Sequence, residues 1–128
     1  MSLKEESKEK EEKKSSNKKM EEAGRKIRDG LADLKTKEGV IGYILRTSRS
    51  ASIDLKDPAK IIDYAVLSST ALETAENLSE TFGLGEFQNV LLEGKGAKIL
   101  LLKVDDQRLS VFMEKRVDHE KIYKGLGV

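Results

Sequence analysis

The chain has 128 residues, a formal net charge of +1 and no cysteine. This length leaves room for one domain of ordinary size, and the near-zero charge creates no overall field that favours nucleic acid. The lack of cysteine excludes disulfides, thiolate catalysis and cysteine-ligated metal sites. No apolar run approaches the roughly 20 residues that span a bilayer, and the N-terminus lacks a signal-peptide core. We therefore expect a cytoplasmic protein with no membrane insertion.

The first 19 residues consist mostly of lysine, glutamate and serine, and only Met1 and Leu3 are apolar. Such a segment cannot bury enough surface to offset its ordering entropy. We therefore predict a disordered charged tail over residues 1–19 and a single domain over residues 20–128. The alternating charges of the tail and the low aromatic content, three Tyr, three Phe and no Trp, argue against nucleic-acid binding.

The domain begins with a helix and two strands. A run of apolar residues at spacings of three and four predicts one helical face, and it comprises Met20, Ala23, Ile27, Leu31 and Leu34. The helix should end before Gly39. Residues 40–45 and 51–55 are rich in β-branched and apolar side chains and predict two strands, joined by the polar turn 47–50.

A long helix is predicted over residues 57–82. Asp57 is a good N-cap, Pro58 suits the first helical position, and Gly83 suits the left-handed residue that ends a helix. One apolar stripe is predicted to pack on the sheet. It comprises Ile61, Ala65, Leu72, Ala75 and Phe82, widened by Ile62, Val66 and Leu78.

Three further strands are predicted over residues 86–92, 98–104 and 109–113, with turns at 94–96 and 105–106. Short turns between consecutive strands favour an antiparallel meander. Asp118 can cap a short final helix. The segment 99–102 is apolar on both faces and needs cover on both sides. The sequence therefore predicts a three-layer α/β sandwich (α+β) in the order α-β-β-α-β-β-β-α. A mostly antiparallel five-stranded sheet carries the long helix on one face and the two terminal helices on the other.

Motifs that could carry chemistry have simpler structural interpretations. Gly94-Lys95-Gly96 is followed by a strand, whereas a phosphate loop precedes a helix. His119 is the only histidine and has no companion at a metal or triad spacing. Asp105-Asp106 fits a hairpin turn. We therefore predict no catalytic residue, no metal and no cofactor.

The chain resembles the Roadblock/dynein light chain family over about residues 31–126. The resemblance rests on Gly39–Gly42 at the first strand, the long Ala- and Ser-bearing helix, Gly83–Glu86, the Gly94–Gly96 hairpin and the Leu-rich fourth strand. It implies a homodimer, or a heterodimer with a paralogue, in which third strands pair edge to edge and central helices pack together. It also implies a non-enzymatic regulator or scaffold that binds a small Ras-like GTPase.

The third strand supports the dimer independently, because an apolar strand at a sheet edge needs protection or pairing. The predicted dimer interface comprises Ser68, Ser69, Leu72, Phe87, Asn89, Val90 and Leu91. Arg46 and Arg49 flank the first strand turn and are predicted contacts for the GTPase, since an arginine supplied in trans can stabilise charge during GTP hydrolysis. The alternative function is a small-ligand sensor on a profilin-like fold, which would need an apolar pocket under the sheet.

Overall fold

The computed structural model describes residue 27 and residues 29–127. Residues 29–34 form helix α1, to which Ile27 also belongs. The remaining elements are β1 (Val40–Arg46), β2 (Ala51–Leu55), a 3₁₀ turn (Pro58–Lys60), α2 (Ile61–Thr81), β3 (Asn89–Glu93), β4 (Ala97–Val104), β5 (Gln107–Glu114) and α3 (His119–Gly125). The predicted tail over residues 1–19, together with Met20 and Ala23 of the predicted first helix, lies outside the described residues.

The five strands form one sheet in the order β2-β1-β5-β4-β3, and every neighbouring pair is antiparallel. Strands β3, β4 and β5 form the predicted meander. Strand β1 pairs with β5, so α2 carries the chain from one side of the sheet to the other. The predicted fold class and element order are therefore confirmed, with β2 and β3 at the two edges.

The terminal helices cover one face of the sheet. Ile27, Leu31 and Leu34 of α1 and Ile122 of α3 are buried in the same cluster as the side chains that β4 and β5 direct to this face. The two helices approach each other at Gly30, where a Cβ atom would lie 3.0 Å from the Cα atom of Leu126. A larger residue at Gly30 would therefore push the helices apart.

Helix α2 covers the other face. Its Leu72 is buried with Ile44, Ile99, Leu101 and Phe112 of the three central strands. The ring of Tyr64 packs against that of Phe112, with centroids 4.5 Å apart. Both faces of β4 are thus covered, which explains why its sequence lacks polar alternation.

The ends of α2 follow the predicted signals. The Asp57 carboxylate accepts a hydrogen bond from the Ala59 amide at 3.1 Å, which caps the 3₁₀ turn ahead of the helix. At the other end Gly83 has a φ of 65°. The amide of Leu84 donates to the carbonyl of Ser79 at 2.9 Å, as in a Schellman motif.

The third strand is shorter than predicted. Its pairing with β4 begins at Asn89 and ends at Glu93, so residues 86–88 are not part of the ladder. Gly85 has a φ of 76°, which turns the chain just before this segment. Phe87 still packs against the cluster under α2, so its burial resembles that of a strand residue.

One buried polar pair joins α2 to the sheet. The hydroxyl groups of Ser68 and Ser110 lie 2.6 Å apart, and both residues are about 1% exposed. Ser68→Ala leaves the buried Ser110 hydroxyl without a hydrogen-bond partner. We therefore expect this change to lower the free energy of unfolding by about 1–2 kcal/mol. The double variant Ser68→Ala/Ser110→Ala should recover most of this loss. Urea unfolding of both single variants and the double variant measures the coupling, and additive losses would contradict it.

Candidate functional site

Strand β3 forms an exposed edge of the sheet. Its residues pair on one side with β4, from Asn89 opposite Leu102 to Glu93 opposite Lys98. No other strand of the described residues lies on its outer side. An edge with the apolar run Val90-Leu91-Leu92 is of the kind that proteins usually cover or pair.

A groove of about 560 Å³ runs between α2 and β3. It is open to solvent and almost entirely apolar. Leu78 is 51% exposed and Leu84 is 72% exposed, so the groove is bordered by large uncovered side chains. Its lining comprises Leu67, Thr70, Ala71, Thr74, Ala75, Leu78, Ser79, Leu84, Phe87, Asn89, Val90 and Leu92.

The predicted apolar stripe of α2 is only partly correct. Leu72 and Ala75 are buried on the sheet, whereas Leu78 and Phe82 are exposed. Ile62 and Val66 are also uncovered, at 76% and 61% exposure. The helix touches the sheet with one side only, so apolar residues beyond that side remain on the surface. Spacing alone cannot separate these residues from the core.

The residues predicted for the dimer interface do not all lie on one surface. Phe87, Asn89 and Val90 lie together in the groove. Leu91 is directed to the opposite face of the sheet, where it packs against the terminal-helix cluster.

The helix residues of that prediction are placed differently. Ser68 and Leu72 are buried against their own sheet and leave no surface for a second copy. Ser69 is half-buried and accepts a hydrogen bond from Arg46. It therefore lies on the side of α2 away from the groove.

Sequence reasoning missed the groove side of the helix. The lining residues Leu67, Ala71, Thr74 and Leu78 follow helical spacing, and Leu84 and Leu92 complete the border. Their signal was a second run at spacings of four, three and four beside the core run. A run of that kind predicts a second side of the helix that packs against other residues. Within the described part of the chain, no element covers that side.

Three cations lie side by side at one end of the α2 face. Arg46, Arg108 and Lys103 are direct cross-strand neighbours on β1, β5 and β4. The Glu76 carboxylate lies 2.9 Å from the Arg108 guanidinium and 3.9 Å from the Lys103 ammonium. Like charges on adjacent strands repel, so Glu76 offsets part of that repulsion.

Arg46 binds helix α2 through uncharged groups. It donates hydrogen bonds to the Ser69 hydroxyl and, at 3.1 Å, to the Ala65 carbonyl. Arg49 lies in the turn between β1 and β2 and is exposed. Thr47 fixes that turn, because its hydroxyl accepts from the Ser50 amide at 3.0 Å and its own amide donates to the Ser50 carbonyl at 2.8 Å.

Two ion pairs elsewhere on the surface shift pKa values. A hydrogen bond to the Asp54 carboxylate raises the pKa of Lys35. This ion pair joins the chain just after α1 to strand β2. A hydrogen bond to Glu114 raises the pKa of Arg116. Both groups are exposed, so these pairs orient side chains and add little to stability.

The comparisons with known proteins give matches at the level of structure. A Roadblock/LC7 domain from Streptomyces avermitilis matches with a TM-score of 0.63 and 16% identity, covering 77% of this chain and 84% of that one. Myxococcus xanthus MglB matches with a TM-score of 0.65 and 17% identity, covering 80% of each chain. The gliding protein MglB from Thermus thermophilus matches with a TM-score of 0.57 and 13% identity, covering 82% of this chain and 80% of that one.

The sequence itself has no such match. No family model matches it, and no curated protein does. Within the described part of the chain, no helix has both the length and the apolar character that a membrane crossing requires. The element order, the antiparallel sheet and the structural matches agree: this chain has the Roadblock/LC7 fold.

Proposed function

We propose that this chain is a cytoplasmic, non-enzymatic regulator or scaffold that dimerises and binds a small Ras-like GTPase. The observation that carries the proposal is the free edge of β3 beside an uncovered apolar groove. Unpaired strand edges and large exposed apolar surfaces are uncommon on monomers and mark interaction sites.

A second copy fits this surface. Antiparallel pairing of two β3 strands is symmetric about a two-fold axis perpendicular to the sheet, which gives a closed, self-complementary contact. Both α2 helices then lie on the same side of a continuous ten-stranded sheet. Leu78, Leu84 and Leu92 of each copy would fill the groove region of the other.

The revised interface keeps Phe87, Asn89 and Val90 from the sequence prediction. Leu91 is directed to the other face, and its backbone alone takes part in the strand pairing. On α2 the interface moves to the groove side, to Leu67, Thr70, Thr74 and Leu78. Ser68, Ser69 and Leu72 do not take part, because they contact their own sheet or Arg46.

The GTPase partner is supported by the resemblance of the sequence to the Roadblock family and by the fold. The structural matches include a Roadblock/LC7 domain and two MglB proteins, one of them a gliding protein. These matches are below 20% identity, so they support the fold only. Binding of a GTPase has to be tested by experiment. A paralogue with a similar β3 edge could replace the second copy.

The test has two parts. Light scattering over a concentration series should give twice the chain mass of 14.3 kDa at micromolar concentrations. Calorimetry should then detect binding to one or more Ras-like GTPases of the source genome, each loaded with Mg²⁺ and a non-hydrolysable GTP analogue. A monomer at all concentrations would overturn the dimer, and no binding by any GTPase would overturn the partner.

The groove also supports a second candidate function, a small-ligand sensor. Its volume and apolar lining suit a drug-sized molecule, and a ligand that binds the folded state stabilises it. The space between the sheet and α2 is filled by Ile99, Leu101 and Phe112, so it has no room for a ligand. The ligand site of such a sensor would be the groove at the β3 edge of the sheet. A thermal-shift screen against nucleotides and metabolites separates the functions: a specific shift with a monomeric chain favours the sensor.

A further inference from the structure

The hairpin between β3 and β4 determines which backbone groups of β3 are free. The amide of Gly94 donates to the carbonyl of Ala97 at 2.9 Å, so these residues form a hydrogen-bonded pair at the closed end of the ladder. Hydrogen-bonded and non-hydrogen-bonded pairs alternate along an antiparallel ladder. Leu92 and Val90 are the next hydrogen-bonded positions, so their backbone groups bond to β4.

The other three residues of β3 carry the free backbone groups. Asn89, Leu91 and Glu93 lie in the non-hydrogen-bonded pairs with β4, so their N–H and C=O groups point toward the open edge of the sheet. Each of them can exchange two hydrogen bonds with an antiparallel strand on the outer side. A strand that binds this edge must therefore bring its own free groups opposite these three residues.

The number of backbone hydrogen bonds depends on where the two-fold axis of a β3 pair lies. With the axis at Leu91, that residue faces its own copy and Asn89 of each copy faces Glu93 of the other. This gives about six hydrogen bonds, two for each of the three facing pairs. An axis at Val90 or Leu92 leaves one of the three free residues without a partner in the ladder. The number of hydrogen bonds then falls to about four.

The side chains favour the same register. Val90 and Leu92 both line the groove on the α2 face, and with the axis at Leu91 each Val90 lies directly opposite Leu92 of the other copy. Directly opposite apolar side chains stabilise a strand pair. Asn89 lies opposite Glu93, and an amide can donate a hydrogen bond to a carboxylate.

The turns at the ends of the strands extend the match. In this register the hairpin tip of each copy, which carries the exposed Lys95, lies beside residues 86–88 of the other copy. That segment carries Glu86, whose side chain is 87% exposed. Opposite charges therefore meet at both ends of the paired strands, which makes the contact complementary to itself.

We propose that this chain binds a second copy of itself with Leu91 on the two-fold axis. The inference rests on the dimer of the proposed function and adds the register and the identity of the partner. A second copy supplies a facing residue for all three free positions of β3. A different strand would match this edge equally only with an amide opposite Glu93 and a cation beside Glu86.

Pairs of introduced cysteines test the register, because the chain has no cysteine of its own. Val90→Cys and Leu92→Cys chains are co-expressed with different tags and then mildly oxidised. The co-expressed pair should give about tenfold or more covalent dimer than either variant alone. Facing positions 90 and 92 would have Cα atoms about 4.5 Å apart, which a disulfide can bridge. Two copies of the same position would be diagonal neighbours about 7–8 Å apart, which is too far.

The matched control is Ser52→Cys, an exposed position on the edge strand β2. Co-expressed with Val90→Cys, it should give no more covalent dimer than Val90→Cys alone. Covalent dimer from Val90→Cys alone or from Leu92→Cys alone would place the axis at that residue. Either result would overturn the proposed register and leave the dimer standing.

Light scattering of the reduced variants separates the remaining outcomes. A dimeric mass without any cross-link in the co-expressed pair would overturn the register, because the copies would then meet elsewhere. A monomeric mass of the unaltered protein would overturn the dimer of the proposed function, and the register with it.

Discussion

Lysine at both Leu78 and Leu92 should convert the proposed dimer into a monomer. Both leucines border the groove between α2 and β3, and within one copy Leu78 is 51% and Leu92 41% exposed. The change therefore places two charges in the proposed interface without disturbing the core. Since buried unpaired charges are costly, we expect the dimer dissociation constant to rise by about 1,000-fold or more. Light scattering would then give 14.3 kDa at micromolar concentrations.

The matched control is the double variant Ile62→Lys/Val66→Lys. It replaces two exposed apolar side chains of the same helix, but on the side away from the groove. It should keep the dimeric mass and the thermal stability of the unaltered protein. A Leu78→Lys/Leu92→Lys protein that still has twice the chain mass at low concentration would show that the β3 edge is not the interface.

Alanine at Gly42 should be the most damaging single change to the fold. Gly42 lies in β1, has a φ of 155°, and faces Asp54 and Leu55 of β2 at close range. A Cβ atom there would lie 2.1 Å from the Asp54 carbonyl oxygen and 2.8 Å from the Leu55 Cα. Because both obstacles are backbone atoms, β2 has to move away from β1. We expect a loss of about 3 kcal/mol in unfolding free energy and a Tm lower by roughly 10–20 °C.

Gly96→Ala provides the comparison for this effect. Gly96 lies in the turn between β3 and β4, and a Cβ atom there would meet nothing within 4 Å. The Tm of the Gly96→Ala variant should stay within about 2 °C of that of the unaltered protein, because an exposed substitution of this kind changes the free energy of unfolding little. Equal thermal unfolding of the two variants would show that β2 adapts to the added methyl group.

The layers of the fold could be predicted because local signals and the need for cover agreed. Asp57 and Gly83 mark the ends of the central helical segment through capping chemistry, which depends on neighbouring residues only. The continuous apolar run of β4 required cover on both faces of the sheet. The three predicted helices could supply it with the long helix on one face and the two terminal helices on the other. The start of β3 was missed because Phe87 packs against the cluster under α2, as a strand residue would, while its backbone is outside the ladder.

The functional surface was harder to predict, for a physical reason. Helical spacing identifies the apolar sides of α2 but gives no information about what covers each side. Leu72 is covered by the sheet, whereas Leu78 and Val66 are exposed. The strand order decided between these outcomes, because it placed β3 and β2 at the two edges and so left both sides of α2 open.

The packing of α1 against α3 has a practical consequence for attaching this domain to other molecules. Both helices lie on the face of the sheet that α2 does not occupy, and Gly30 and Leu126 bring them into contact. The described chain therefore begins and ends on the same side. A fluorophore or an affinity tag linked after Gly127 would project away from α2, so surface immobilisation through that end would leave the groove accessible to a partner in solution.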